Sequence, residues 1–215
     1  MNKDAGRPAK RLSSHERRSL ILDAAATVFF EQGYSATSMD AIIERVGGSK
    51  RNIYNEFGSK EGLFTAIVSE AAESALRALT AEEIGGRNLR ETLTEFAQKL
   101  IEIYMSPKLI GVYRVTMAEA FRFPDLAKAF YDRGPGRTAL RLAEVLEDAK
   151  QRGEIEIDDC RIVADHFTGM LRDNIHLRVV LGLQPPLTVD EKKKVVDSAV
   201  AIFLDGILTQ PKRPQ

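Results

Sequence analysis

Polar side chains of the kinds that bind DNA bases follow Ser49 at helical spacing. Ile53 and Phe57 lie four residues apart and therefore share one face of a helix, which we expect to be buried. The remaining positions carry Lys50, Arg51, Asn52, Tyr54 and Asn55. Arginine can bind guanine O6 and N7, asparagine can bind adenine N6 and N7, and lysine and tyrosine can reach phosphates. The pattern predicts a DNA-reading helix, with an ordinary solvated surface helix as the alternative.

The residues before this helix predict a second short helix and a tight turn. Thr37 or Ser38 can cap it, apolar residues up to Val46 form its buried side, and Gly47-Gly48 turn the chain. Two short helices joined in this way form a helix-turn-helix, whose second helix enters the major groove of DNA. Residues 38–57 are therefore predicted to form this motif.

The distribution of charge favours DNA binding by the N-terminal part. The chain has no net charge, but residues 1–60 carry +3 and the remaining residues carry −3. A local positive charge attracts phosphates where they are needed. The basic segment 1–12 holds Arg7, which either enters the minor groove or belongs to a solvated terminus.

The whole chain predicts an all-α protein of nine or ten helices, because no segment alternates with the period of a strand. Ser13 and Glu16 predict a capping box for the first helix, which Gly33 ends. Residues 158–181 and 189–208 predict two long final helices. We expect three parts: a flexible basic arm (1–12), an N-terminal three-helix DNA-binding domain (13–64) and a C-terminal helical ligand-binding and dimerisation body (65–210).

Ten spaced positions after the glycine turn match a known family pattern. In the TetR (tetracycline repressor) family the reading helix has the pattern S-K-x-x-[LI]-Y-x-x-F, followed by x-S-K-E-x-L-F. The matching positions are Ser49, Lys50, Ile53, Tyr54, Phe57, Ser59, Lys60, Glu61, Leu63 and Phe64. Residues 14–64 thus resemble the TetR-type DNA-binding domain, although Ile43 replaces the usual alanine and Gly48 the usual valine.

The resemblance implies both a function and a set of contact residues. It implies a sequence-specific regulator of transcription, a repressor that a small molecule releases from its operator. Carried over by position, the phosphate contacts would be Thr37, Ser38, Tyr54 and Lys60. The base or phosphate readers would be Lys50, Arg51, Asn52 and Asn55.

The residues after about 65 are similar, through less specific motifs, to the body of AefR-like members. This resemblance implies a homodimer through residues 159–208, which would bind palindromic double-stranded DNA, and a small, mostly apolar effector. Aromatic and methionine side chains between helices can line a pocket, with ordinary core packing as the alternative for each. The candidate pocket residues are Tyr104, Val112, Met117, Phe121, Phe130, His166, Phe167 and Met170.

No cluster of residues predicts catalysis, a metal or a cofactor. His166 and His176 would point about 80° apart on one helix, and the single cysteine, Cys160, offers neither a ligand cluster nor an intramolecular disulfide. An enzyme using the His166/His176 region is the weakest alternative, and a helical protein-interaction module without specific DNA binding is the other. No apolar run approaches the ~20 residues that span a bilayer. We therefore expect a cytoplasmic protein without a membrane partner.

Overall fold

A computed structural model describes residues 13–47, 49–79 and 88–207, and the eleven elements within these ranges are all α-helices. The all-α prediction is confirmed. Arg7 and Gly48, which the sequence analysis singled out, lie outside the described residues. The chain divides into two units, residues 1–67 and 68–215.

Three helices and the start of a fourth form the N-terminal unit: α1 (Ser14–Gln32), α2 (Met39–Val46), α3 (Lys50–Phe57) and α4 (Lys60–Ala78). The predicted capping box is present, since the Ser13 amide donates to Glu16 Oε2 at 2.7 Å and the Glu16 amide donates to Ser13 Oγ at 3.2 Å. Such reciprocal bonds satisfy amides that the first helical turn leaves unpaired. Ser38 caps α2 with a single bond, its hydroxyl oxygen accepting from the Ala41 amide at 3.1 Å.

Three aromatic rings form the centre of this unit. The rings of Phe29, Tyr34 and Phe64 are at most 2% exposed, and their centroids lie 5.3 to 5.5 Å apart. The Phe29 and Tyr34 rings are stacked on each other, and both meet the Phe64 ring edge to face, which adds specific geometry to the apolar burial. The three rings connect α1, the α1–α2 loop and α4. A single aromatic cluster therefore fixes the elements on either side of the short helices α2 and α3.

The second unit contains the later part of α4 and seven further helices. These are α5 (Leu89–Tyr104), α6 (Pro107–Glu119), α7 (Pro124–Arg133), α8 (Pro135–Gln151), α9 (Cys160–Leu171), α10 (Asn174–Val180) and α11 (Val189–Ile207). Prolines occupy the first positions of α6, α7 and α8. A proline is tolerated there because its missing amide would have no helical acceptor. In the core, α8 packs against α9, and α11 packs against α5.

The long helix predicted at 158–181 is two helices in the structure. The described residues therefore contain eleven helices, one more than the upper end of the expected nine or ten. Helix α9 ends at Leu171, and Asp173 caps α10 by accepting from the amides of Ile175 and His176 at 2.8 and 3.4 Å. A carboxylate in this position favours a new helix start over continuation of the old helix. Asp159, one residue after the predicted Asp158, caps α9.

Helix α10 is held at its other end by Arg114 of α6. The Arg114 guanidinium donates to the carbonyl oxygens of Val179 at 2.8 Å and Val180 at 2.5 Å. Cationic donors at a helix C-terminus satisfy carbonyls that have no partner within the helix. A seven-residue helix is too short to be stable alone, so these bonds and its packing hold α10 in place.

Candidate DNA interface and interior cavity

Helix α3 buries the two side chains that the sequence analysis expected it to bury. Ile53 is 2% exposed and Phe57 is 8% exposed, while Tyr54 is 38% exposed. The other predicted readers on this helix are all exposed: Lys50, Arg51, Asn52 and Asn55. The helix therefore presents a continuous polar face to solvent and an apolar stripe to its own unit.

Ion pairs connect the reading helix to the two helices before it. Lys50 Nζ lies 2.6 Å from Asp40 Oδ1 of α2, and this hydrogen bond raises the pKa of the lysine. Arg18 of α1 lies 2.7 Å from Glu56 Oε1, and its guanidinium sits 4.8 Å from the centre of the Phe57 ring. Exposed ion pairs add little stability, so we assign their effect to orientation of the side chains.

Arg51, Asn52 and Asn55 form the part of this face that remains available to a ligand. Within the described residues none of the three side chains makes a hydrogen bond or ion pair. These three groups offer a guanidinium fork and two amides, the chemistry that reads guanine and adenine in the major groove. We refer to them below as the reading triplet.

Two predicted phosphate contacts are placed differently from the expectation. Thr37 is 2% exposed, and its hydroxyl donates to the Gly33 carbonyl at 2.7 Å. Lys60 Nζ donates to the carbonyls of Tyr34, Ser35 and Thr37 at 2.8, 3.4 and 3.0 Å. An ammonium group has three donors, and all three point into the α1–α2 loop. Thr37 and Lys60 thus hold this loop, and Ser38 is exposed beside it.

The turn between α3 and α4 requires glycine at two places. Gly58 has φ +72°, and a Cβ on Gly62 would lie 2.0 Å from the carbonyl oxygen of Phe57. The first position favours glycine because L side chains rarely adopt a positive φ. The second lets α4 begin directly against the last turn of α3, which fixes the direction of the reading helix.

The second unit encloses an apolar cavity of about 40 Å³. Residues from α4, α5, α6, α7, α8, the end of α9 and α10 line it. Three of the predicted pocket residues are among them: Tyr104, Val112 and Phe130. A cavity of this size has room for about two or three water molecules, so it is nearly closed in this conformation.

The other five predicted pocket residues are placed elsewhere. Phe121 is 99% exposed, Met117 is 49% exposed and His166 is exposed. Phe167 packs in the core with its ring centroid 4.7 Å from that of Phe203, and Met170 is half-buried against the same core. These residues were selected by type, and residue type alone does not state which side of a helix faces the cavity.

Polar groups outside the list of predicted pocket residues lie close to one another in the lining of the cavity. Arg172 lies with its guanidinium 5.6 Å from the centre of the Tyr104 ring. The His176 ring lies between Tyr104 and Tyr113, with centroids 5.5 and 5.4 Å away. Burial raises the pKa of Tyr104 to about 12, and burial together with Arg172 lowers the pKa of His176. In the sequence, the four-residue spacing of Arg172 and His176 within the helix predicted at 158–181 was the feature that could have indicated that both face the same side.

The residues considered for an enzyme or metal site are not arranged as one. His166 is exposed, whereas His176 lines the cavity. Cys160 donates to Glu147 Oε2 at 3.0 Å, and burial with this contact raises the pKa of the thiol to about 11. Among the residues with described positions, no three histidine, cysteine or acidic side chains are grouped to hold a metal ion. No helix in the described part of the chain is long and apolar enough to cross a membrane.

Comparison with known proteins identifies the family. The model for bacterial regulatory proteins of the tetR family matches residues 21–67, and the model for the AefR-like transcriptional repressor C-terminal domain matches residues 91–206. The chain belongs to the TetR family. It is therefore a DNA-binding transcriptional regulator with a helix-turn-helix at residues 39–57 and a helical body. Regulators of this family bind DNA and dimerise.

Individual TetR-family proteins are similar over most of the chain. The HTH-type transcriptional regulator UidR of Escherichia coli (strain K12) is 32% identical, over 73% of this chain and 80% of its own. The structure of the flavonoid-responsive regulator FrrA has a TM-score of 0.75 and 33% identity, covering 92% of this chain and 100% of its own. A TetR-family regulator from Mesorhizobium loti gives a TM-score of 0.79 at 26% identity, covering 93% and 100%.

Proposed function

We propose that this regulator reads its operator with the exposed face of α3. The observation that carries the proposal is the reading triplet, Arg51, Asn52 and Asn55, which is exposed and has no partner within the described residues. Arg51 and Asn55 supply base contacts, while Lys50, Tyr54 and Ser38 at the margins of this face contact phosphates. Lys50 exchanges Asp40 for a phosphate on binding, at small cost because the pair is exposed.

The same proposal requires two copies of the chain. One short recognition helix covers too few base pairs for useful specificity, so a symmetric dimer would read a palindromic operator of two half-sites. Large apolar side chains stand exposed on α9, α10, α11 and the residue after α10: Ile162, Leu177, Leu181 and Ile202, which are 49 to 62% exposed. They support a dimer interface within residues 159–208, since a partner subunit would remove this apolar surface from water.

The cavity in the second unit is proposed as the effector site, and its occupation as the event that releases DNA. Helix α4 starts at Lys60, next to the reading helix, and its residues Val68, Ala72 and Ala75 line the cavity. A drug-sized ligand needs at least about 300 Å³, far more than the closed cavity offers. An effector therefore stabilises a more open body, and its differential affinity for the two forms sets the change in operator affinity.

The DNA-binding proposal is tested first by finding the operator. Purified protein is used to select fragments of its host's genomic DNA, and the enriched sequence is then measured by fluorescence anisotropy. Arg51→Ala and Asn55→Ala should each weaken this site by about 5- to 150-fold while leaving non-specific DNA binding nearly unchanged. The matched control is Arg45→Ala, which removes an exposed cation that pairs with Glu31 on α1 at 3.7 Å.

The outcome decides whether the exposed face of α3 reads the operator. Equal losses for the two reading variants and Arg45→Ala would show that α3 does not read bases. Failure to enrich any sequence would contradict the proposed reading of an operator.

A further inference from the structure

A single arginine supplies a permanent charge to the otherwise apolar cavity. Arg172 terminates α9, is half-buried and lines the cavity. Its guanidinium lies 5.6 Å from the centre of the Tyr104 ring, within reach of a cation–π contact. The aromatic face partly compensates for lost hydration, but it does not neutralise the positive charge.

Arg172 differs from two other cations of the body, Lys108 and Arg152, in having no carboxylate paired with it. Lys108 pairs with Glu70 at 2.7 Å, and Arg152 pairs with Glu154 at 2.6 Å. Arg172 has no ion pair or hydrogen bond from its side chain within the described part of the chain. The neighbouring carboxylate, that of Asp173, accepts from two amides of α10 instead. A partly buried charge without a partner is unfavourable until an anion meets it.

The groups around Arg172 complete a recognition site for one functional group. The His176 ring lies between the Tyr104 and Tyr113 rings, close enough to Arg172 for the cation to lower the pKa of the histidine. Imidazole and phenol groups can donate hydrogen bonds to an anionic oxygen, and a guanidinium can bind a carboxylate with two parallel bonds. The rest of the lining is apolar, with Val112 and Phe130 as examples.

We propose that the effector is an amphipathic organic anion, whose carboxylate binds Arg172 and whose apolar body enters the cavity. This inference rests on the proposed function, because it names the chemical class of the molecule that the cavity takes. Cationic ligands are disfavoured by the same charge. Neutral apolar molecules can enter, but they leave Arg172 without a counter-charge and therefore bind more weakly.

The experiment compares acids with uncharged molecules of nearly the same shape, in the absence of DNA. Isothermal titration of the full chain would use 3-phenylpropanoate against 3-phenylpropanamide, and octanoate against octanamide. Wild-type protein should bind at least one acid about 10- to 100-fold more tightly than its amide, as expected for a charge-assisted interaction. Arg172→Gln should remove this preference by weakening the acid alone, whereas Arg172→Lys should retain part of it. Arg90→Gln, at an exposed position of α5, is the matched control.

Several results would overturn the proposal. Equal affinities for acid and amide, a preference for the amide, or no binding of any acid up to about 1 mM would each do so. An Arg172→Gln variant that melts like wild type but weakens acid and amide equally would also overturn it, and the Arg172→Lys variant decides the question if Arg172→Gln melts at a lower temperature. Because these titrations contain no DNA, their failure is distinct from failure of the operator experiment.

Discussion

The ammonium group of Lys60 lies 2.8 Å from the carbonyl oxygen of Tyr34 and 4.5 Å from the centre of the same residue's ring. One side chain at the start of α4 therefore holds both the backbone and the ring of a residue in the α1–α2 loop. Tyr34 is 2% exposed and stacks on Phe29. The contact ties the position of α4 to the loop that precedes the helix-turn-helix.

Replacing Lys60 should therefore lower stability without removing a phosphate contact. Lys60→Ala leaves carbonyl oxygens of the loop without their donor, which costs about 1–3 kcal/mol. Thermal melting should show this loss, and Lys50→Ala, which removes an exposed lysine, should melt close to wild type. In salt titrations of operator binding the slope for Lys60→Ala should equal that of wild type. A slope reduced by about one unit would instead identify a phosphate contact.

Adding a methyl group at Gly62 should disturb the reading helix. Gly62→Ala places a Cβ against the Phe57 carbonyl, so α3 and α4 must move apart. We expect a lower melting temperature and a loss of operator affinity greater than about tenfold, with binding of test ligands to the body unchanged. Glu61→Ala, at an exposed position in the same helical turn, is the control. Wild-type melting and affinity for Gly62→Ala would refute the fixed α3–α4 turn.

Neighbouring residues of α11 should give opposite results when charged. Ile202 is 62% exposed, so Ile202→Asp should yield a folded, helical monomer with weak operator binding. Phe203 is 6% exposed and contacts Phe167, so Phe203→Asp should destabilise the body by several kcal/mol, as expected for an unpaired buried charge. Sedimentation and circular dichroism measure the two effects. A dimeric Ile202→Asp protein would exclude Ile202 from the interface.

The stability of the body should fall on mild acidification because of His176. Burial and Arg172 lower the histidine pKa below its usual 6.5, while Asp173 opposes this shift. The unfolded chain then binds the proton more readily than the folded chain, so the stabilising contribution is complete above pH 6.5 and declines below it. Urea unfolding between about pH 7 and 5.5 should show the decline. His176→Gln should reduce it, whereas His166→Gln, at an exposed position, should not.

The helix ends could be read from the sequence where one side chain creates them. Ser13 and Glu16 cap α1 as their spacing predicted. The same side-chain chemistry caps α5 through Asn88 and α11 through Thr188, whose amide donates to Glu191 at 2.8 Å. The break at Asp173 was missed because apolar residues continue on both sides of it. The periodic apolar residues predict one continuous helix, but the hydrogen bonds from two backbone amides to the Asp173 carboxylate start a new helix there instead.

The site was predictable where a helix has one apolar side, and less so elsewhere. Ile53 and Phe57 define the buried side of α3, so the opposite side follows from helical geometry. Lys60 carries the charge of a phosphate contact, but its direction depends on a loop more than twenty residues earlier. Phe121 was selected for its ring and is 99% exposed, because composition does not determine which face of a helix packs inward.

Helix α10 carries a cavity residue and proposed interface residues within little more than one turn. His176 faces Tyr104 and Tyr113, while the adjacent Leu177 is 49% exposed, and Asp173 and Arg114 hold the two ends of the helix. A substitution that shifts or rotates α10 would change both surfaces at once. In two diverging copies of a duplicated gene, the same mutations would then change the ligand preference and prevent dimerisation with the ancestral subunit. Few mutations would therefore be needed to turn the two copies into independent regulators.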